Sequence, residues 1–83
     1  MEYKWFITEE WNESDMLPHG RRTSHVDALG RCSVKDIEET RGFMERYSPF
    51  DYIDTMTYDT KEEYEKMLTT LEENGSEINR NEH

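Results

Sequence analysis

Apolar and polar residues alternate over 2–8, Glu-Tyr-Lys-Trp-Phe-Ile-Thr, which predicts a strand. Tyr3, Trp5 and Ile7 fall on one face of it, and Lys4, Phe6 and Thr8 on the other. Residues 52–58, Tyr-Ile-Asp-Thr-Met-Thr-Tyr, predict a second strand rich in β-branched and aromatic types. Between them, Ser33 and Asp36 make an approximate capping box before Val34, Ile37, Met44 and Tyr47. Arg41 completes that helical face through its stem, Gly42 weakens its middle, and Ser48-Pro49 ends it. A second helix opens at the Thr60-Lys-Glu-Glu63 capping box. It carries the stripe Tyr64, Met67, Leu68 and Leu71 and stops at Gly75.

These elements predict an α+β domain over residues 1–75, with residues 76–83 as a disordered polar tail. The expected architecture has two layers: a short antiparallel sheet of two or three strands packed against two helices. Two strands alone are marginal in water, so either a third strand near 21–27 or self-association into a homodimer completes the sheet. Residues 9–32 hold Pro18, Gly20, Gly30 and few aliphatic anchors, and are the least patterned stretch. The first strand is apolar on both faces, and a two-layer domain covers only one. The other face, with Trp11 and Phe50 in loops, is then a surface for a partner, because Trp, Tyr and Met are enriched at interfaces.

Composition changes the picture in two ways. Leu, Ile, Val and Phe number 13 of 83, a poor supply for a core, but ten aromatics and five Met make up for it. The chain carries a formal charge of −10, unevenly spread. Residues 1–20 hold five acids against one Lys, residues 21–50 five acids against six bases, and residues 51–83 ten acids against three bases. Asp51, Asp54, Asp59, Glu62, Glu65, Glu72 and Glu73 form an acidic series over the second strand and helix, interrupted by Lys61 and Lys66. Helical carboxylates three or four apart recur every ~5 Å, on the scale of duplex phosphates. Such a series suits a basic protein surface or the groove of a nucleic-acid-binding protein, and repels nucleic acid itself. His19, Arg21, Arg22, His25 and Arg31 are expected to neutralise neighbouring acids, or to grip an acidic group.

Candidate chemistry is sparse. His19, His25, Cys32 and His83 match no zinc spacing, and no metal or other cofactor is expected. Cys32, His25 and Asp27 can be drawn as nucleophile, base and orienter, with the adjacent helix end lowering the thiol pKa, but no phosphate loop or donor cluster accompanies them. No catalytic residue is assigned. No run approaches the roughly 18 apolar residues of a membrane helix. The single Cys and the absence of a secretory start fit a cytoplasmic protein.

In its acidity, its aromatic and Met content and the carboxylate series from Asp51 to Glu73, the chain resembles small phage-encoded inhibitors of host machinery or host defence. That resemblance implies a non-enzymatic protein that binds one larger host protein and blocks or redirects it. DNA mimicry is the alternative within this class; a small metal or thiol protein centred on Cys32 is the alternative outside it.

Overall fold

The computed structural model describes residues 2–81. The elements run β1 (Tyr3–Trp11), β2 (His25–Ser33), α1 (Val34–Tyr47), β3 (Tyr52–Tyr58), α2 (Lys61–Glu73) and β4 (Glu77–Arg80). They form an α+β fold with one four-stranded mixed sheet in the order β3-β1-β2-β4. β1 pairs antiparallel with both β2 and β3, and β4 pairs parallel with β2. The sheet thus has one strand more than the sequence pattern indicates. Of the residues read as a tail, Glu77–Arg80 are a strand in register with His25–Ala28, while residues 82 and 83 lie outside the described residues. The third strand expected near 21–27 starts at His25 and runs to Ser33.

Both helices begin as their caps dictate. Ser33 Oγ accepts from the Asp36 amide at 3.2 Å, and Thr60 Oγ1 accepts from the Glu63 amide at the same distance. α2 ends in a Schellman motif. Gly75 stands at φ +92°, its amide donating to the Glu72 carbonyl, while the Ser76 amide donates to that of Leu71. This turn aims the chain directly into β4.

Two helices on opposite faces make three layers rather than two. The stripe Tyr64, Leu68 and Leu71 of α2 packs on Ile7, Val26 and Ala28, with Trp5, Met56 and Ile78 around them. Phe6 points the other way, toward the side of Ile37 on α1, and is fully buried as well. Both faces of β1 are covered within the chain, so the expectation that one is left for a partner does not hold.

The sheet is interrupted at one place. Phe6 pairs with Gly30 and Ile7 with Ala28, so Leu29 is an extra residue, a β-bulge in β2. Gly30 takes φ +79°, a conformation costly for any residue with a Cβ. Its amide donates to the Tyr64 hydroxyl at 3.1 Å, and Tyr64 is wholly buried. Replacement Tyr64→Phe leaves a buried amide without this acceptor and is expected to lower the unfolding free energy by about 1–2 kcal/mol. Urea denaturation measures this, and an unchanged midpoint would mean the hydroxyl does not support the bulge.

Candidate functional site

The acidic series does not assemble into one ridge. Asp54 and Asp59 lie on or just beyond the β3 edge, whereas Glu62, Glu65, Glu72 and Glu73 lie on α2. Four members of the series are engaged within the fold, Asp54 only by the amide of its neighbour Thr55, which donates to its carboxylate at 2.9 Å. The Asp51 carboxylate accepts from the Glu13 amide at 3.0 Å. Asp59 pairs with Lys4 at 2.5 Å, which holds the lysine pKa above its usual range. Arg80 reaches Glu65 with both terminal nitrogens, at 3.1 and 2.9 Å. The hydrogen bonds and charge of Arg80 hold the Glu65 carboxyl below the usual range. The support Glu65 gives the fold is therefore present at neutral pH and lost as pH falls through its depressed pKa. Among the described residues, no ion pair reaches Glu62, Glu72 or Glu73, and all three are exposed.

Trp11 and Phe50 are half-buried rather than exposed anchors. The Trp11 ring stacks on Tyr52 at 5.6 Å, with the Arg22 guanidinium 4.0 Å above it. Phe50 lies against His25 at 5.1 Å. The most exposed aromatics are on α1 instead: Phe43 is 65% and Tyr47 67% exposed, against 45% for Tyr3 and for Tyr52. They stand one turn apart with ring centroids 4.9 Å from each other. On one side of this pair is a cleft of about 310 Å³ reaching Met44, Leu29, Thr8, Glu10 and Asp27. On the other is an open hollow bounded by Glu38, Glu39, Gly42 and Arg46. Phe43 falls outside the Val34–Ile37–Met44 face of the helix, and that offset is the signal by which sequence alone could have found the ridge.

Sequence reasoning also missed a buried polar network. Glu9 is 1% exposed. Its carboxylate accepts from Arg22 Nη2 at 2.7 Å and from Ser24 Oγ at 2.6 Å, and the Ser24 and Ser76 hydroxyls are 2.9 Å apart. This joins β1, the loop before β2 and the turn before β4, and accounts for Arg22. The other basic residues disperse: Arg31 covers the Tyr3 ring at 4.7 Å, and His25 faces Glu77 at 3.4 Å. They form no common anion grip.

The Cys32 site fails on geometry. His25 and Cys32 are seven positions apart on β2, which at roughly 3.3 Å per residue separates them by about 20 Å. Asp27 accepts from Asn79 and Asn81, and the Cys32 thiol points at the Leu29 carbonyl at 3.6 Å. Burial, with the Asp36 charge adding to it, pushes the thiol pKa up rather than down. Among the described residues no three His, Cys, Asp or Glu side chains gather to hold a metal ion; His83 lies outside them. Comparison with protein-family models, curated proteins and solved structures found no match.

Two outcomes follow. Arg22→Ala leaves the buried Glu9 charge uncompensated and is expected to cost roughly 2–4 kcal/mol in urea denaturation, with the partly exposed guanidinium favouring the low end. The Glu9→Leu/Arg22→Leu pair should recover most of that loss; a single-variant cost under about 1 kcal/mol would show that Glu9 does not need this cation. Cys32 should react with an aromatic disulfide reagent more slowly than a free thiol at neutral pH, its rate rising only above the ordinary thiol pKa of about 8.5. A fast reaction at pH 7 would contradict the raised pKa.

Proposed function

We propose that this chain is a non-enzymatic interaction protein that binds a larger protein through the Phe43–Tyr47 ridge of α1. The observation that carries this reading is the exposure of two adjacent aromatic rings on a helix whose fold already buries Phe6, Ile7 and Tyr64. Exposing Phe43 and Tyr47 to water gains the isolated domain nothing, whereas a pair of aromatics desolvated by a partner is the usual energetic centre of an interface. Glu38, Glu39 and Glu45 on the same helix, with a net charge of −10, favour a partner whose apolar pocket is rimmed by Lys and Arg. Binding of this kind blocks or redirects the partner stoichiometrically, as the small phage-encoded inhibitors that the sequence resembles do. The working compartment is a reducing cytoplasm. No helix among the described residues is long and apolar enough to cross a membrane.

A second reading rests on Glu62, Glu72 and Glu73, which face solvent on the opposite side of the sheet. There the chain occupies the phosphate-binding groove of a nucleic-acid-binding protein by charge. Lys66 and the Glu65–Arg80 pair interrupt that surface, which places it second.

The two readings separate cleanly because their residues lie on different faces. Once a partner has been captured from bacterial lysate, its affinity is measured against two variants. Phe43→Ser/Tyr47→Ser should weaken binding roughly a thousandfold, from about 2 kcal/mol for each anchor. Glu62→Lys/Glu72→Lys/Glu73→Lys should change it little at physiological salt. The opposite ranking would replace the ridge with the mimic.

A further inference from the structure

We infer that the groove beside the ridge, between α1 and the β2–β4 half of the sheet, is a receptor for an arginine or lysine side chain in a basic segment of the partner protein. This rests on the binding reading above and deepens it by naming what the partner inserts. α1 meets β1, β2 and β3 on this face, and hollows remain beside it toward β2 and β4. Two adjoining hollows of about 310 and 350 Å³ lie there, and Glu10 and Asp27 line both. Among the described residues no Lys or Arg lines either hollow, and Glu77 adds a third carboxylate at the far end beside His25.

Both shared carboxylates are held in place yet keep acceptor capacity. The Glu10 carboxylate takes a short hydrogen bond from the Ser48 hydroxyl on one oxygen. The two asparagine amides that reach Asp27, each at 3.3 Å, both fall on Oδ1. An ionised carboxylate offers about four lone-pair sites over its two oxygens, so a guanidinium fork or an ammonium finds acceptors at Glu10 and Asp27. The walls suit the rest of such a side chain. Phe43, Tyr47, Met44 and Leu29 give an apolar slot for a methylene stem, and the rings present π-faces to a cation.

The size of the cleft fits this occupant. About 310 Å³ sits at the lower end of small-molecule sites, enough for one long side chain and its neighbours in an extended segment. A second copy of this chain is a poor occupant, since it also carries ten excess negative charges.

The test is a two-dimensional amide NMR titration of the full chain with the capped tripeptide arginine-leucine-arginine, and in parallel with glutamine-leucine-glutamine. Saturable shifts at Asp27, Leu29 and Asn79 with the basic peptide alone support the assignment. So does a loss of tenfold or more in affinity on Glu10→Gln/Asp27→Asn at unchanged melting temperature, with Glu72→Gln/Glu73→Gln having no effect. Equal shifts from the neutral peptide, shifts centred on the α2 carboxylates, or dimerisation of the chain through these same amides would each overturn it. The comparison of the two peptides on the unaltered chain decides the matter even if the carboxylate variant folds poorly. No partner is present in this titration, so a negative result removes the groove and leaves the Phe43–Tyr47 ridge to its own affinity measurement.

Discussion

The hydrogen bond from the Gly30 amide to the Tyr64 hydroxyl joins the two halves of this fold. A bulge at Leu29 and Gly30 takes an amide out of the β1–β2 ladder in the middle of the sheet, where water does not reach it. Tyr64, the first buried residue of α2, supplies the acceptor and also packs at a tilt against Trp5, with ring centroids 5.1 Å apart. The bulge also shifts the parity of β2. Before the bulge, ordinary alternation puts Asp27 beside α1 and Val26 and Ala28 beneath α2; past it, Gly30 pairs with Phe6 and Arg31 with Trp5, the reverse of what an unbroken alternation would give. Without the extra residue, a one-position change in register would exchange the two faces over part of the strand.

The two faces are finished differently. Beneath α2 the stripe of Tyr64, Leu68 and Leu71 closes over a continuous apolar cluster. On the other face α1 contributes a single buried residue, Ile37, and the strands beside it carry Thr8, Glu10, Asp27, Glu77 and Asn79 along with Leu29 and Ile53. Polar side chains on a sheet face need water or a partner group, and the helix above them displays its largest rings outward. The charged residues follow the same division: those around α2 are in part satisfied internally by Arg80 and Lys4, whereas among the described residues Glu10 and Asp27 accept from a hydroxyl and from amides.

What the sequence made legible was local. The Ser33 and Thr60 caps, the α2 stripe, Gly75 and the β3 pattern each act within a few residues, and the structure has them where the pattern places them. What escaped was long-range. Glu-Ile-Asn-Arg at 77–80 has one aliphatic residue and reads as solvated chain. It becomes a strand only because the Gly75 turn delivers it beside β2, whose own reading was obscured by Gly30. Glu9 reads as a surface acid until Arg22, Ser24 and Ser76 arrive from elsewhere. The assumption of two layers makes Phe6 look surplus and gives Trp11 and Phe50 outward roles, while Tyr47 reads as part of the core face of α1 and Phe43 stands outside it.

The central position of β1 has a kinetic side. It is the first strand in the chain, yet one edge pairs with β3, nearly fifty residues later, and each of its faces awaits a helix made after it. Until those arrive, Tyr-Lys-Trp-Phe-Ile-Thr is an unpaired, doubly apolar ribbon with high β-propensity, the kind of segment that seeds intermolecular pairing. Glu9 and Glu10 follow it immediately, and charges flanking such a run restrain association while it is exposed. In the finished molecule one of these two becomes a buried counter-ion and the other a groove acceptor, so the residues that guard the nascent strand are later absorbed into its polar framework.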